Sequence, residues 1–228
     1  GGWCWRDVSR SLRRNGHDVF APTLTGLGER IHLSNRDVGL STHIRDVVQT
    51  LEFEDLSNVV LVGHSYAGCV ITGVAEACAE RIGQLVYVDA VVPRHGQSLA
   101  DARGRKDKPL FDEAMQRGPK RFGNNVPAPD LFGVNDPEQT RWMWDRLTPQ
   151  PIKSLVEKID IPHDRASSLP RVFIFCAMTS PIMEKAYFRR AQADQAWTTK
   201  SIPAHHDAMI TEPDILSGAL IEVVVARL

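Results

Sequence analysis

The chain has 228 residues, with 27 Lys and Arg against 28 Asp and Glu, a net charge of -1, 43% hydrophobic and 24% charged residues. These proportions suit a soluble globular protein with a real core and exclude disordered, collagen-like and low-complexity chains. There is no basic excess of the kind a nucleic-acid binder shows, and no run of 18 apolar residues that would span a membrane.

Residues 5–15 place Val8 and Leu12 among Arg and Ser, an amphipathic helix with Gly16 as the residue that ends it. Residues 17–21 read as a short strand stopped by Pro22, and residues 23–30 as a Gly-punctuated loop. Ser41 is the expected cap of a second helix that sets Ile44, Val47, Val48 and Leu51 on one face. Residues 58–63 form a continuous β-branched apolar run, which suits a parallel strand buried on both faces. A small-residue helix over 66–80 and a buried strand over 85–89 follow.

From 93 to 169 charges, prolines and glycines dominate, with helical patches such as 137–146 and no strand pattern. This stretch reads as a mainly helical cap, inserted into a core made of residues 1–92 and 170–228. A strand over 171–176, a helix over 184–196, a strand over 197–202 and a closing helix over 214–227 complete the core. Strands alternating with helices define the fold class as α/β, a mostly parallel doubly wound sheet with helices on both faces.

The segment Gly63-His64-Ser65-Tyr66-Ala67-Gly68 lies between the buried strand and the small-residue helix. A chain turning from strand to helix within about one residue needs small neighbours and lifts the serine to the carboxyl edge of the sheet. Ser65 is therefore the candidate nucleophile. The Tyr66 backbone N–H, at a helix start, is the candidate oxyanion donor.

A serine hydroxyl needs a base. Of eight histidines, His17, His32, His43, His95 and His163 lie in loops or polar segments, where solvation is the expectation. His64 adjoins the serine, and its side chain is expected to point away from Oγ. His205 and His206, between the last strand and the last helix, stand where a base belongs in the order nucleophile, acid, base. The loop after the strand ending at Cys176 has no carboxylate before Glu184. The acid that orients the imidazole is thus Asp89, at the end of the preceding strand, or Glu184, or is missing.

Together these passages resemble the α/β-hydrolase superfamily, in its esterase and hydroxynitrile-lyase branch, and small bacterial carboxylesterases in particular. Gly2-Trp3-Cys4-Trp5 resembles a G-x-W-x-W start. Residues 22–30 resemble the loop after the next strand, Gly63 to Gly68 the nucleophile elbow, and His206-Asp207-Ala208-Met209 the base loop. The resemblance implies the α/β-hydrolase fold, selects His206 over His205, and supports Asp89, because some members carry their acid after the earlier strand. In that branch a strand with an H-G type motif precedes the G-x-W-x-W segment and supplies a second oxyanion donor. Here the sequence begins at Gly1 without Met, so that strand is expected to lie outside it or to be missing from the sheet.

The expected activity is hydrolysis of a small apolar or aromatic ester through Ser65, His206, Asp89 and an acyl-enzyme, with no cofactor and no metal. Asp207 and Tyr66 stand where the related lyase carries Lys and Cys, which favours the esterase. A carbon–carbon lyase of the hydroxynitrile type, or a non-catalytic ligand-binding relative, is the alternative. Among the aromatics of the insertion, Phe111, Phe122, Phe132, Trp142 and Trp144, the pair Trp142 and Trp144 are candidate substrate-binding residues. They are two apart on a helix, so at most one should line a pocket. Four dispersed cysteines without a CxxC pair, and no secretory signal, suggest free thiols and a cytoplasmic location. The expected partner is a small-molecule ester, with neither nucleic acid nor membrane. A homodimer is compatible with this reading.

Overall fold

Four parallel strands form the centre of the computed structural model, which describes residues 1–104, 128–178 and 182–225. They are β1 (Val59–His64), β2 (Ile82–Val88), β3 (Arg171–Cys176) and β4 (Trp197–Ile202), in spatial order β1-β2-β3-β4. Helix α1 (Arg6–Arg14) and helix α2 (Leu40–Phe53) precede the sheet. Helix α3 (Ala67–Cys78) connects β1 to β2. Helices α4 (Leu99–Ala102), α5 (Pro137–Trp144) and α6 (Ile152–Val156) lie between β2 and β3. Helix α7 (Ile182–Gln192) joins β3 to β4, and α8 (Ala208–Thr211) and α9 (Pro213–Val225) end the chain.

The unbroken apolar run of β2 follows from burial on both faces. Leu85 and Tyr87 point into one core with Val70 and Val74 of α3, Leu40 and Leu51 of α2, and Phe173. Val86 and Val88 point into a second core with Val8 of α1, Leu216 and Leu220 of α9, and Ile174. Helices therefore cover both faces, as an α/β chain requires. Within 93–169 the described elements are helices and turns, including the 3-10 turn Pro129–Phe132. Phe111 and Phe122 lie outside the described residues.

Two local expectations are corrected. Residues 17–21 are not a strand. A strand exists only by pairing, and among the described residues every ladder runs between β1, β2, β3 and β4. The second helix is not capped by Ser41: it starts at Leu40, with Gly39 preceding it. Ser41 instead gives its N–H and its hydroxyl to the Glu157 carboxylate, at 3.1 and 2.8 Å. Gly16 does end α1, at φ 84° with its N–H on the Arg13 carbonyl at 3.1 Å, a left-handed position that glycine adopts without strain.

Candidate active site

Ser65 directly follows β1 and holds φ 51°, a left-handed value that costs a non-glycine residue about 1–3 kcal/mol. The surroundings enforce it. Ser65 N–H donates to the Val88 carbonyl at 3.3 Å, and the Ser65 carbonyl accepts from Val91 N–H at 3.1 Å and Gly68 N–H at 3.2 Å. A Cβ on Gly63 would meet the Ala67 carbonyl oxygen at 2.7 Å, and one on Gly68 would meet the Val91 carbonyl oxygen at 2.0 Å. The small residues of the turn are thus demanded by backbone passing backbone. Tyr66 N–H lies at the start of α3, where a helix leaves its first N–H groups without internal acceptors.

Tyr66 is fixed through its ring as well. Its hydroxyl lies 2.9 Å from His43 Nδ1, and His43 Nε2 lies 2.9 Å from the Thr25 carbonyl oxygen. A carbonyl only accepts, so Nε2 carries the proton and the Tyr66 hydroxyl donates to Nδ1. His43 is accordingly buried, contrary to the expectation of a solvated histidine. Both ring nitrogens are satisfied on the inner side of α2, and burial, the largest cause, pulls its pKa down.

Asp89 directly follows β2 at φ 41° and is 0% exposed. Its N–H donates to the Ile174 carbonyl at 2.7 Å. Its Oδ2 lies 2.6 Å from Nδ1 of His206, which is 2% exposed. With the carboxylate ionised, His206 Nδ1 carries the proton and Nε2 presents a lone pair. Burial first, and the Arg103 charge second, pull the His206 imidazole down to about 4. Two rings flank it: His64, with centroids 4.5 Å apart, and Phe132, at 5.3 Å. Phe132 also accepts, through its carbonyl, the Asp207 N–H at 3.4 Å.

Glu184 is 1% exposed on α7, and its Oε2 has no hydrogen-bond partner among the described residues. Burial, the largest cause, pushes its carboxyl up to about 7, with Asp89 adding to the rise. Asp207 is pushed up to about 7, again chiefly by burial. His205 is held through its N–H on Glu212 Oε2 at 3.0 Å, and its ring lies where a Cβ on Gly133 would be. Residues 179–181, part of the loop after β3, lie outside the described residues.

The two tryptophans separate, as their spacing requires. Trp142 packs edge-on against Trp3 at 5.2 Å, with the Arg6 and Arg146 guanidinium groups each 4.8 Å from its ring centroid. Trp144 is 46% exposed. The insertion ring that meets His206 is Phe132, which sequence reasoning grouped with the other aromatics but did not place at the site. One trio of metal-ligating residue types converges among the described residues: His64, His206 and Asp207, with ligand atoms within 4.8 Å of one another. One nitrogen of each ring is engaged, His64 Nε2 with the His206 carbonyl at 2.9 Å and His206 Nδ1 with Asp89 at 2.6 Å.

The chain is similar to known proteins along most of its length. A model described as the alpha/beta hydrolase family matches residues 1–219. The chain is 37% identical to a carbendazim-hydrolysing esterase from Nocardioides sp. strain SG-4G, over 96% of this chain and 93% of that one. It is 26% identical to methylesterase 3 from Arabidopsis thaliana, over 98% and 91%. Among solved structures it resembles an extracellular alpha/beta-hydrolase from a Paenibacillus species, described as sharing structural and functional homology with tobacco salicylic acid binding protein 2. The TM-score is 0.80 at 25% identity, covering 97% of this chain and 93% of that one.

Proposed function

The chain belongs to the alpha/beta hydrolase family and is a carboxylic-ester hydrolase, and from that premise we propose that it works through Ser65, His206 and Asp89. The observation that carries this reading is the buried 2.6 Å contact between His206 and Asp89, on the same sheet edge as the Ser65 turn.

In this mechanism His206 Nε2 takes the proton from Ser65 Oγ as the oxygen attacks the ester carbonyl. Asp89 holds Nδ1–H, orienting the ring and stabilising the imidazolium that forms. The tetrahedral oxyanion is met by Tyr66 N–H, with the start of α3 adding its dipole. Collapse expels the alcohol, which receives the proton from His206 and leaves an acyl group on Ser65. Water then attacks the acyl carbon with His206 again as base, and the acid departs.

The substrate is a small apolar or aromatic ester, a reading supported by the Phe132 ring beside His206. The Nocardioides relative is named as an esterase that hydrolyses carbendazim, a small molecule. Of the two tryptophans, Trp144 keeps the more exposed indole for a substrate, whereas Trp142 is covered by Trp3 and two arginines. The described residues of 93–169 act as a cap over the core. Four unpaired cysteines favour a reducing, cytoplasmic setting, and no helix among the described residues is long and apolar enough to cross a membrane.

The test compares the protein with Ser65→Ala on p-nitrophenyl acetate and butyrate. The variant should lose nearly all turnover, on the order of 10⁵-fold or more. Equal rates would reject Ser65 as nucleophile.

A further inference from the structure

We infer that His64 is a positioning residue, whose Nε2–H clamps the main chain of the base His206 onto the strand that carries the nucleophile Ser65. The inference rests on the triad reading above and assigns it a further part.

His64 is the last residue of β1, and Ser65 is the next. Its Nε2 lies 2.9 Å from the carbonyl oxygen of His206, a link across 142 positions of sequence. The carbonyl is an acceptor only, so Nε2 carries the ring proton and His64 is a neutral donor. Burial, the largest cause, holds the ring well below the ordinary histidine value and keeps it in that state. Its face lies against the His206 ring, with centroids 4.5 Å apart and a 48° tilt. The Asp207 carboxylate is nearby but farther, Oδ1 standing 3.8 Å from the same nitrogen. The carbonyl is therefore the partner of this proton.

The location gives the bond its consequence. His206 sits in the loop between β4 and α8, whose neighbouring ties run to other parts of the chain: His205 to Glu212, and Asp207 to Phe132. Asp89 sets the direction of the His206 ring through Nδ1. The His64 bond joins the backbone of the base to the residue bonded directly to Ser65, so it governs the gap that the proton crosses. Proton transfer needs heavy atoms about 2.6–3.2 Å apart, and a misplacement of about 1 Å costs on the order of 10²-fold in rate.

The test is steady-state hydrolysis of p-nitrophenyl butyrate by the full chain carrying His64→Gln, which keeps an amide donor, and His64→Leu, which does not. We expect His64→Leu to lower kcat about 10- to 100-fold with KM within about threefold, and His64→Gln to restore kcat to within about fivefold. Inactivation by a fluorophosphonate should slow in step with kcat. A kcat for His64→Leu within twofold of the parent would overturn the inference, as would equal losses in the two variants or a loss carried by KM. If His64→Leu does not fold, ¹⁵N NMR of the parent decides: the Nε2–H tautomer of His64 supports the clamp, and the Nδ1–H tautomer overturns it. Ser65→Ala is run alongside. A dead Ser65→Ala with an unimpaired His64→Leu removes the clamp alone, whereas an active Ser65→Ala removes the triad reading and the clamp with it.

Discussion

Ser65 and Asp89 occupy equivalent positions at the ends of neighbouring strands. Each is the first residue past a paired strand end, since His64 of β1 is in register with Val88 of β2, and each holds a positive φ, 51° and 41°. Parallel strands end at the same edge of the sheet, so this pairing delivers a hydroxyl and a carboxylate to one rim. The loop after β4 brings His206 to that rim, with Nδ1 2.6 Å from Asp89 Oδ2. Two strained residues side by side mark a place where backbone energy is spent on geometry.

The identity of the acid is tested by comparing Asp89→Asn with Glu184→Gln. Asp89→Asn should lower kcat by about 10³- to 10⁴-fold, because the amide offers His206 the wrong hydrogen-bonding partner. Glu184→Gln should stay within about threefold of the parent, since one of its oxygens is unpartnered and the structure shows His206 bonded to Asp89. A loss confined to Glu184→Gln would move the role to α7.

Activity should persist into mild acid. His206 accepts a proton only when neutral, and burial together with the Arg103 charge pulls it down to about 4 from an ordinary 6.5. Activity is thus present above the folded-state pKa and is lost as pH falls through it. A pH profile of kcat/KM for p-nitrophenyl butyrate should show its acid limb centred below 6.5. A midpoint at or above that value would contradict the buried, neutral base.

Glu184 should make stability depend on pH in a defined direction. Its folded-state pKa is raised from 4.5 to about 7, so the folded state keeps a proton that the unfolded chain has lost. Stability therefore falls as pH rises from about 4.5 through about 7, and the loss is complete above that. Glu184→Gln removes a buried charge and should gain on the order of 2 kcal/mol at pH 8 but almost nothing at pH 4.5. Melting temperatures of the two proteins at both pH values check this.

Gly68 should tolerate no side chain. An added Cβ would stand 2.0 Å from the Val91 carbonyl oxygen, a backbone atom just beyond β2. Gly68→Ala should cost about 1–3 kcal/mol and displace Ser65, whose carbonyl is bonded to the N–H groups of both Gly68 and Val91. A lower melting temperature together with a fall in kcat is the expected outcome. A variant as stable and as active as the parent would mean that the turn has slack the structure does not show.

Some of this was decided by order along the chain alone. The β-branched run ending in Gly63, the small residues among the next five positions and the alternation of strands with helices are each written in a short stretch of consecutive residues. A strand that is apolar on both sides, or a turn that cannot hold a Cβ, leaves its mark in a few consecutive residues. The strand expected at 17–21 failed for the opposite reason, because a strand is made by its pairing partner. His43, in a polar stretch of sequence, is buried because Tyr66 and Thr25 close over it in the fold. The meeting of His206 with Asp89 across 117 positions, the tie from His64 across 142, the Phe132 ring and the buried Glu184 are likewise tertiary facts. Contacts between distant residues depend on where the folded sheet and its loops set each side chain in space, and the linear order of residues carries no local imprint of that distance.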